Sequence, residues 1–275
     1  MDSDIEDEKH KREEWLRFLK KARDFRKERL DEIEKGGVWE GRTPGPYCIL
    51  HCIPMPFVGQ QPLNIESISK DYESFIVFKE NRLIDPPRQN QNGLLIETNY
   101  GDRIGQPEYF DGWHHYYRGF QRTQIFHTGA LEAVYAPTIE KRKGKETNYL
   151  SLYAFEFFHR QIKNYIEKVH TLRFSGAVVI GLSILGAKGY SIYTPIISAR
   201  YLVQLPQKIP DDADEVLNSA DGDIRLEMRI EDIQEVREED IDEKILRPIF
   251  DLFWHDFGFF ECDRKFSDGL WNLQP

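Results

Sequence analysis

Cysteine is scarce, with three in 275 residues. Cys48 and Cys52 stand four apart, which is no disulfide framework, so a reducing compartment and plain core thiols are expected. Long apolar runs are absent as well. Nothing approaches the roughly 18 to 20 residues that span a bilayer, and the opening MDSDIEDEKH is acidic where a signal peptide is basic and then apolar. A cytoplasmic chain without membrane attachment is the expectation. There is no Walker-type glycine loop, GxGxxG fingerprint, GxSxG elbow or HExxH pair, and no internal repeat or low-complexity tract. Positive charge is also in deficit. A net charge of −10 argues against a protein that coats nucleic acid over its whole surface, because counterion release needs clustered Lys and Arg.

What is present suffices for a core: 40% of residues are apolar and 13% aromatic. Charge is unevenly placed. Residues 9–29 hold ten Lys or Arg against four Asp or Glu, whereas 207–243 hold four against fifteen. A solvated charged face is the simplest reading of either run, and contact with a partner is the sharper one.

The central unit runs from Phe120 to Tyr193 and reads strand, strand, helix, strand. Thr123, Ile125 and His127 share one face of the first strand; Leu131, Ala133 and Tyr135 share one face of the return strand after a two-residue loop, Thr128 and Gly129. Leu150, Ala154, Phe157, Phe158, Ile162, Tyr165, Val169 and Leu172 recur at three- and four-residue steps, predicting a helix over 149–172. The run 177–185, interrupted only by Gly181 and Ser183, suits a strand buried on both faces near the middle of a sheet. Gly186 and Gly189 bracket a turn, with 190–194 as its return strand.

Residues 11–34 read as one amphipathic helix stopped by Gly36 and Gly37. Coming before a Gly/Pro-rich passage, it reads as an arm. The expected boundaries are 1–43 for this charged helical arm and 44–275 for an α+β domain with a largely antiparallel sheet. Further strands are expected at 47–53, 72–78, 94–98 and 200–205, a surface loop at 99–118, an acidic loop at 206–222 and an alternating edge strand at 224–230. A closing helix spans about 239–257, and Pro248 implies either a kink or a start near Arg247.

The chemistry that the residues allow is limited. Asp111, His114, His115, His127 and Glu132 supply imidazoles and carboxylates such as a metal-dependent nuclease or phosphohydrolase uses, but adjacent histidines point apart and no ligand spacing is recognisable. On a strand Cys48 and Cys52 share one face and His51 takes the other, so they do not converge on zinc. No catalytic residue, metal or cofactor is assigned, and a metal-dependent nuclease or phosphohydrolase built on the His114, His115 and His127 region stands as the alternative reading. For nucleic acid, the basic candidates are Arg17, Lys20, Lys21, Arg23, Arg26 and Lys27 on the arm, with Lys141, Arg142, Lys143 and Lys145 in a loop, offering sequence-blind phosphate contact.

Several passages together carry a resemblance: FRKERL (25–30), PYCILHCIPMPF (46–57), RTQIFHTGALEAVYA (122–136), LSILGAKGY (182–190) and ILRPIFDLFWHDFG (245–258). They are similar to the region that follows the Schlafen-type AlbA_2 domain, to which DNA binding is ascribed, in many prokaryotic proteins of unassigned role. The resemblance spans nearly the whole chain from Phe25 and brings no catalytic residue with it. The AlbA_2 domain itself has no counterpart here, so DNA binding is not inherited from it. The resemblance implies a non-catalytic accessory or protein-interaction module in a DNA-associated or defence-related prokaryotic setting, with a protein partner and, through the basic arm, nucleic acid.

Overall fold

The protein is described here from a computed structural model, covering residues 2–35, 45–55, 69–70, 72–76, 83–99, 107–110, 113–116, 120–137, 139–142, 148–150, 153–171, 176–192, 223–237, 240–256, 266–267 and 270–271. Its strands are β1 (Tyr47–Pro54), β2 (Leu83–Ile84), β3 (Arg88–Asn90), β4 (Gly93–Asn99), β5 (Pro107–Phe110), β6 (Trp113–Tyr116), β7 (Phe120–Phe126), β8 (Leu131–Ala136), β9 (Ile139–Arg142), β10 (Asn148–Leu150), β11 (Val178–Leu185), β12 (Tyr190–Ile192), β13 (Ile224–Ile230), β14 (Phe266–Ser267) and β15 (Leu270–Trp271). The helices are α1 (Asp2–Glu34), α2 (Tyr153–Thr171) and α3 (Arg247–Asp256).

The fold is α+β. The main sheet runs β13-β11-β1-β8-β7-β4-β2, with β3 also on β4, and every pairing in it is antiparallel. A second, five-stranded sheet runs β12-β10-β9-β6-β5. The apolar run of β11 lies between β1 and β13, buried at all eight positions. Alternation sorts its residues: Val178, Ile180, Leu182 and Ile184 enter the large core with Cys48, Leu50 and Cys52 of β1, while Val179 and Leu185 face the other way.

Helix α2 covers the first face. Phe157 stacks on Tyr135 with ring centroids 5.2 Å apart, the Tyr165 hydroxyl donates to the Gly129 carbonyl at 3.3 Å, and Ala154, Phe158, Ile162 and Val169 join the same core. Helix α3 adds Ile249 and Phe250, the latter edge-on to Phe155 at 5.9 Å. Helix α1 lies on the opposite face. Phe18, Leu19 and Ala22 pack on Ile53, Ala177 and Val179, and Leu30 and Ile33 pack on Ile49, Val134 and Leu185. The sheet is therefore sandwiched between helices, which is why its central strands are apolar on both sides.

Several expectations are corrected. Helix α2 starts at Tyr153, four residues later than predicted, because 148–150 is captured as a strand between β9 and β12; Leu150 still points into the same core, so the helical periodicity counted it. Strand β12 pairs in parallel with β10, not with β11. The turn before it needs Gly186 (φ 72°) and Gly189 (φ 80°). The loop expected at 99–118 contains the β5–β6 hairpin. Tyr72–Phe75 is a 3₁₀ turn and no strand; its end is held where the Phe75 carbonyl accepts from Thr123 and from Gln161, both at 3.3 Å. Between β7 and β8 lie four residues, three of them inside the pair closed by the Phe126 N–H on the Ala130 carbonyl at 2.9 Å, with Gly129 at φ 83°. The expected strand at 200–205 and loop at 206–222 lie outside the described residues.

Pro248 sits just inside α3, where a missing N–H is tolerated. The turn before it, Ile241–Leu246, is π-helical, with the Arg247 N–H donating to the Asp242 carbonyl. A proline ring crowds the carbonyl four residues back in a continuous α-helix, and the widened turn relieves that crowding.

Candidate functional site

Helix α1 turns three of its arginines to the sheet and leaves its lysines outside. Arg23, Arg26 and Arg29 recur every three residues, in step with Ala22, Leu30 and Ile33, and all three reach the sheet. Lys20, Lys21 and Lys27 are exposed.

Arg29 makes a forked pair with Glu132 of β8, Nε to Oε2 at 2.8 Å and Nη2 to Oε1 at 2.9 Å. Its other amino group pairs with Glu32, and its guanidinium centre lies 5.5 Å from the centroid of the Phe126 ring. His51 Nε2 stands 3.2 Å from Glu132 Oε2. Glu132 and His51 are both 0% exposed. Burial alone would raise the Glu132 carboxyl, but the hydrogen bonds and charge of Arg29 and the bond to His51 override it and bring the pKa down to about 2. Burial pushes the His51 imidazole below its ordinary value, so it stays neutral and donates from Nε2 to the carboxylate. His51 Nδ1 then has no partner among the described residues.

Arg26 Nη2 donates to the Leu182 carbonyl and the Ser183 hydroxyl, both at 2.8 Å. Burial lowers its pKa to about 10, leaving it charged at neutral pH. The two interruptions of the apolar run are thereby explained: Ser183 accepts from Arg26, and Gly181 makes room for it, since a Cβ there would come 2.6 Å from Arg26 Nε. Arg23 closes the row on Glu227 of β13, with Nη2 to Oε1 at 2.9 Å.

The sequence-expected site residues are placed as follows. Arg17 is exposed and 4.0 Å from Glu13; Lys20, Lys21 and Lys27 are exposed. Arg23 is engaged with Glu227, and Arg26 is 8% exposed with its head in the sheet, so the outward set on α1 is Arg17, Lys20, Lys21 and Lys27. Lys141 is half-buried on β9, Arg142 ends that strand, and Lys143 and Lys145 lie outside the described residues. Of the metal candidates, His114 and His115 sit on β6 in the second sheet, His127 is exposed after β7, and Asp111 lies outside the described residues. Glu132 belongs to the main sheet with both oxygens committed to Arg29. Among the described residues no three His, Cys, Asp or Glu side chains gather as a metal site. Cys48 and Cys52 do face away from His51, into the α2 core, where burial pushes the Cys52 thiol well up.

Sequence reasoning missed the Arg29–Glu132–His51 cluster. Its signal was available: a glutamate inside LEAVYA and a histidine inside YCILHCIP, each in the phase opposite to the core positions of an apolar strand.

A second polar cluster ties α2 to the π-helical turn. Asp242, 4% exposed, meets His159 Nε2 at 3.0 Å and Lys163 Nζ at 3.2 Å. Burial lowers the His159 pKa against the pull of Asp242.

Among the described residues no helix is long and apolar enough to cross a membrane, which leaves strands untested. No family model, curated protein or solved structure matches the chain.

Proposed function

We propose that the chain is a non-catalytic accessory module that works by protein contact in a DNA-associated or defence-related prokaryotic system, with α1 as its contact element. The resemblance of 25–258 to the region following AlbA_2 domains supplies the setting. The observation that carries the mode of action is the sorting on α1: Arg23, Arg26 and Arg29 bind the sheet and fix the helix, and Arg17, Lys20, Lys21 and Lys27 are left on its outside. The polar cluster at Glu132 and His51 is sealed under that helix and closed to any substrate. Beyond the sheet, every described side chain from 9 to 14 is exposed. A helix that is polar all round spans solvent to reach something else.

The test is co-purification from the native host, using the intact chain and the variant Arg17→Gln, Lys20→Gln, Lys21→Gln, Lys27→Gln. The intact chain is expected to bring down a nucleic-acid-processing companion that the variant loses while melting at the same temperature. Recovery of the same companions by both would sink the reading.

A further inference from the structure

One flank of α1 carries Lys9, Arg12, Leu16, Lys20, Arg23 and Lys27, at steps of three or four residues, so they form a single row along the helix. At about 1.5 Å per residue the row is roughly 27 Å long. All six are exposed, and Leu16, at 56%, is an exposed large apolar side chain at its middle. Lys9, Arg12, Lys20 and Lys27 have no ion pair among the described residues, while Arg23 is spent on Glu227 and so sets which way the row faces.

We propose that this row is a docking ridge for an acidic, amphipathic helix of a protein partner, with an apolar side chain of the partner seated on Leu16. The proposal rests on the accessory reading above and names the partner's chemistry. Charge complementarity calls for carboxylates or phosphates, and width decides between them. Glu13, Asp24 and Asp31 run along the outer edge of the row, and all are exposed or half-buried on the surface. A helix laid on α1 at about 8 to 10 Å between axes touches one row of side chains and clears that edge. A nucleic acid duplex is wider than a helix and would carry phosphates over those carboxylates. Leu16 agrees with this choice: an apolar knob flanked along the row by Arg12 and Lys20 matches the apolar centre and charged rim of a protein interface and offers nothing to a phosphate backbone. The sheet-bound half of the row is preorganised, so docking orders little of it.

The experiment is fluorescence anisotropy of the full chain with three probes: a labelled synthetic Glu/Ala helix bearing a leucine row, the same helix with alanine in that row, and a short DNA duplex. The leucine-bearing helix is expected to bind best. Lys9→Glu, Arg12→Glu, Lys20→Glu and Lys27→Glu together should weaken it by at least about 30-fold, and Leu16→Ala by roughly fivefold. All five positions are exposed, and unchanged thermal melting checks that these proteins fold. Three results would overturn the ridge: duplex DNA binding more tightly than either helix and indifferent to Leu16→Ala; sedimentation showing the chain pairing with itself through this row; or no peptide binding at all. If the peptide fails while the companion is still lost from the Arg17, Lys20, Lys21, Lys27 variant, the ridge falls and the accessory reading stands.

Discussion

Replacing Glu132 by glutamine keeps the shape of the side chain and removes its charge, leaving the Arg29 guanidinium, 9% exposed, with only the solvent-exposed Glu32 as counter-ion. Breaking a buried pair from one side costs about 3–5 kcal/mol. The carboxyl gives a second route to that magnitude: a pKa of about 2 against an ordinary 4.5 corresponds to roughly 3 kcal/mol of stability at neutral pH. For 275 residues the unfolding entropy is of order 0.6 kcal/mol per degree, so E132Q should melt about 5–8 °C lower. Because the folded carboxyl titrates below the unfolded one, its contribution is complete above pH 4.5 and is lost as pH falls toward 2. The gap between wild type and E132Q should hold through neutral pH and close over that acid window. His51, whose pKa burial lowers, weakens both proteins as pH drops below 6.5, and E132Q more, because it lacks the carboxylate charge that partly offsets that burial; the gap therefore widens before it closes. Urea denaturation across pH reads both quantities. E132Q melting within about 1 °C of wild type at pH 7, or a gap that does not close in acid, would refute the account of Glu132 as an ionised anchor.

Two further outcomes are expected. Gly181→Ala should push Arg26 off the Leu182 carbonyl and Ser183, costing about 1–3 kcal/mol, and hydrogen exchange should show α1 amides losing protection before those of α2. Asp242→Asn should cost about 1–3 kcal/mol by weakening the ties to His159 and Lys163, with circular dichroism and exchange locating the loss at 241–246.

The sheet side of the fold was legible because period-two alternation survives in short apolar strands. LEAVYA and YCILHCIP each sent alternate residues to the α2 face as read, and VVIGLSIL is buried on both faces as its nearly unbroken apolar run implied. What escaped was the other face. Arg26 and Arg29 look like solvent-facing charge when only composition is weighed; their phase with Ala22, Leu30 and Ile33 places them inside. The same masking hid Glu132 and His51, which interrupt their strands as any polar outlier would; strand register sets them opposite each other, and the crossing of a distant helix brings Arg29 from 103 residues away. Short strands such as 148–150 escaped because three residues carry too little pattern to compete with a neighbouring helix.

The division of labour on α1 also bears on how such a chain can change. Its grip on the sheet is written in residues 23, 26 and 29, together with the apolar positions that share their phase. Its outward rows are written in the letters between. The two texts are interleaved yet separable, so a lineage or a designer can rewrite Lys20, Lys21 or Lys27 without renegotiating the attachment beneath. An arginine-to-lysine exchange that passes unnoticed outside would, at position 29, replace a two-pronged fork with a point charge and loosen the whole helix. The inner row is a frame, and the outer rows are interchangeable panels mounted on it.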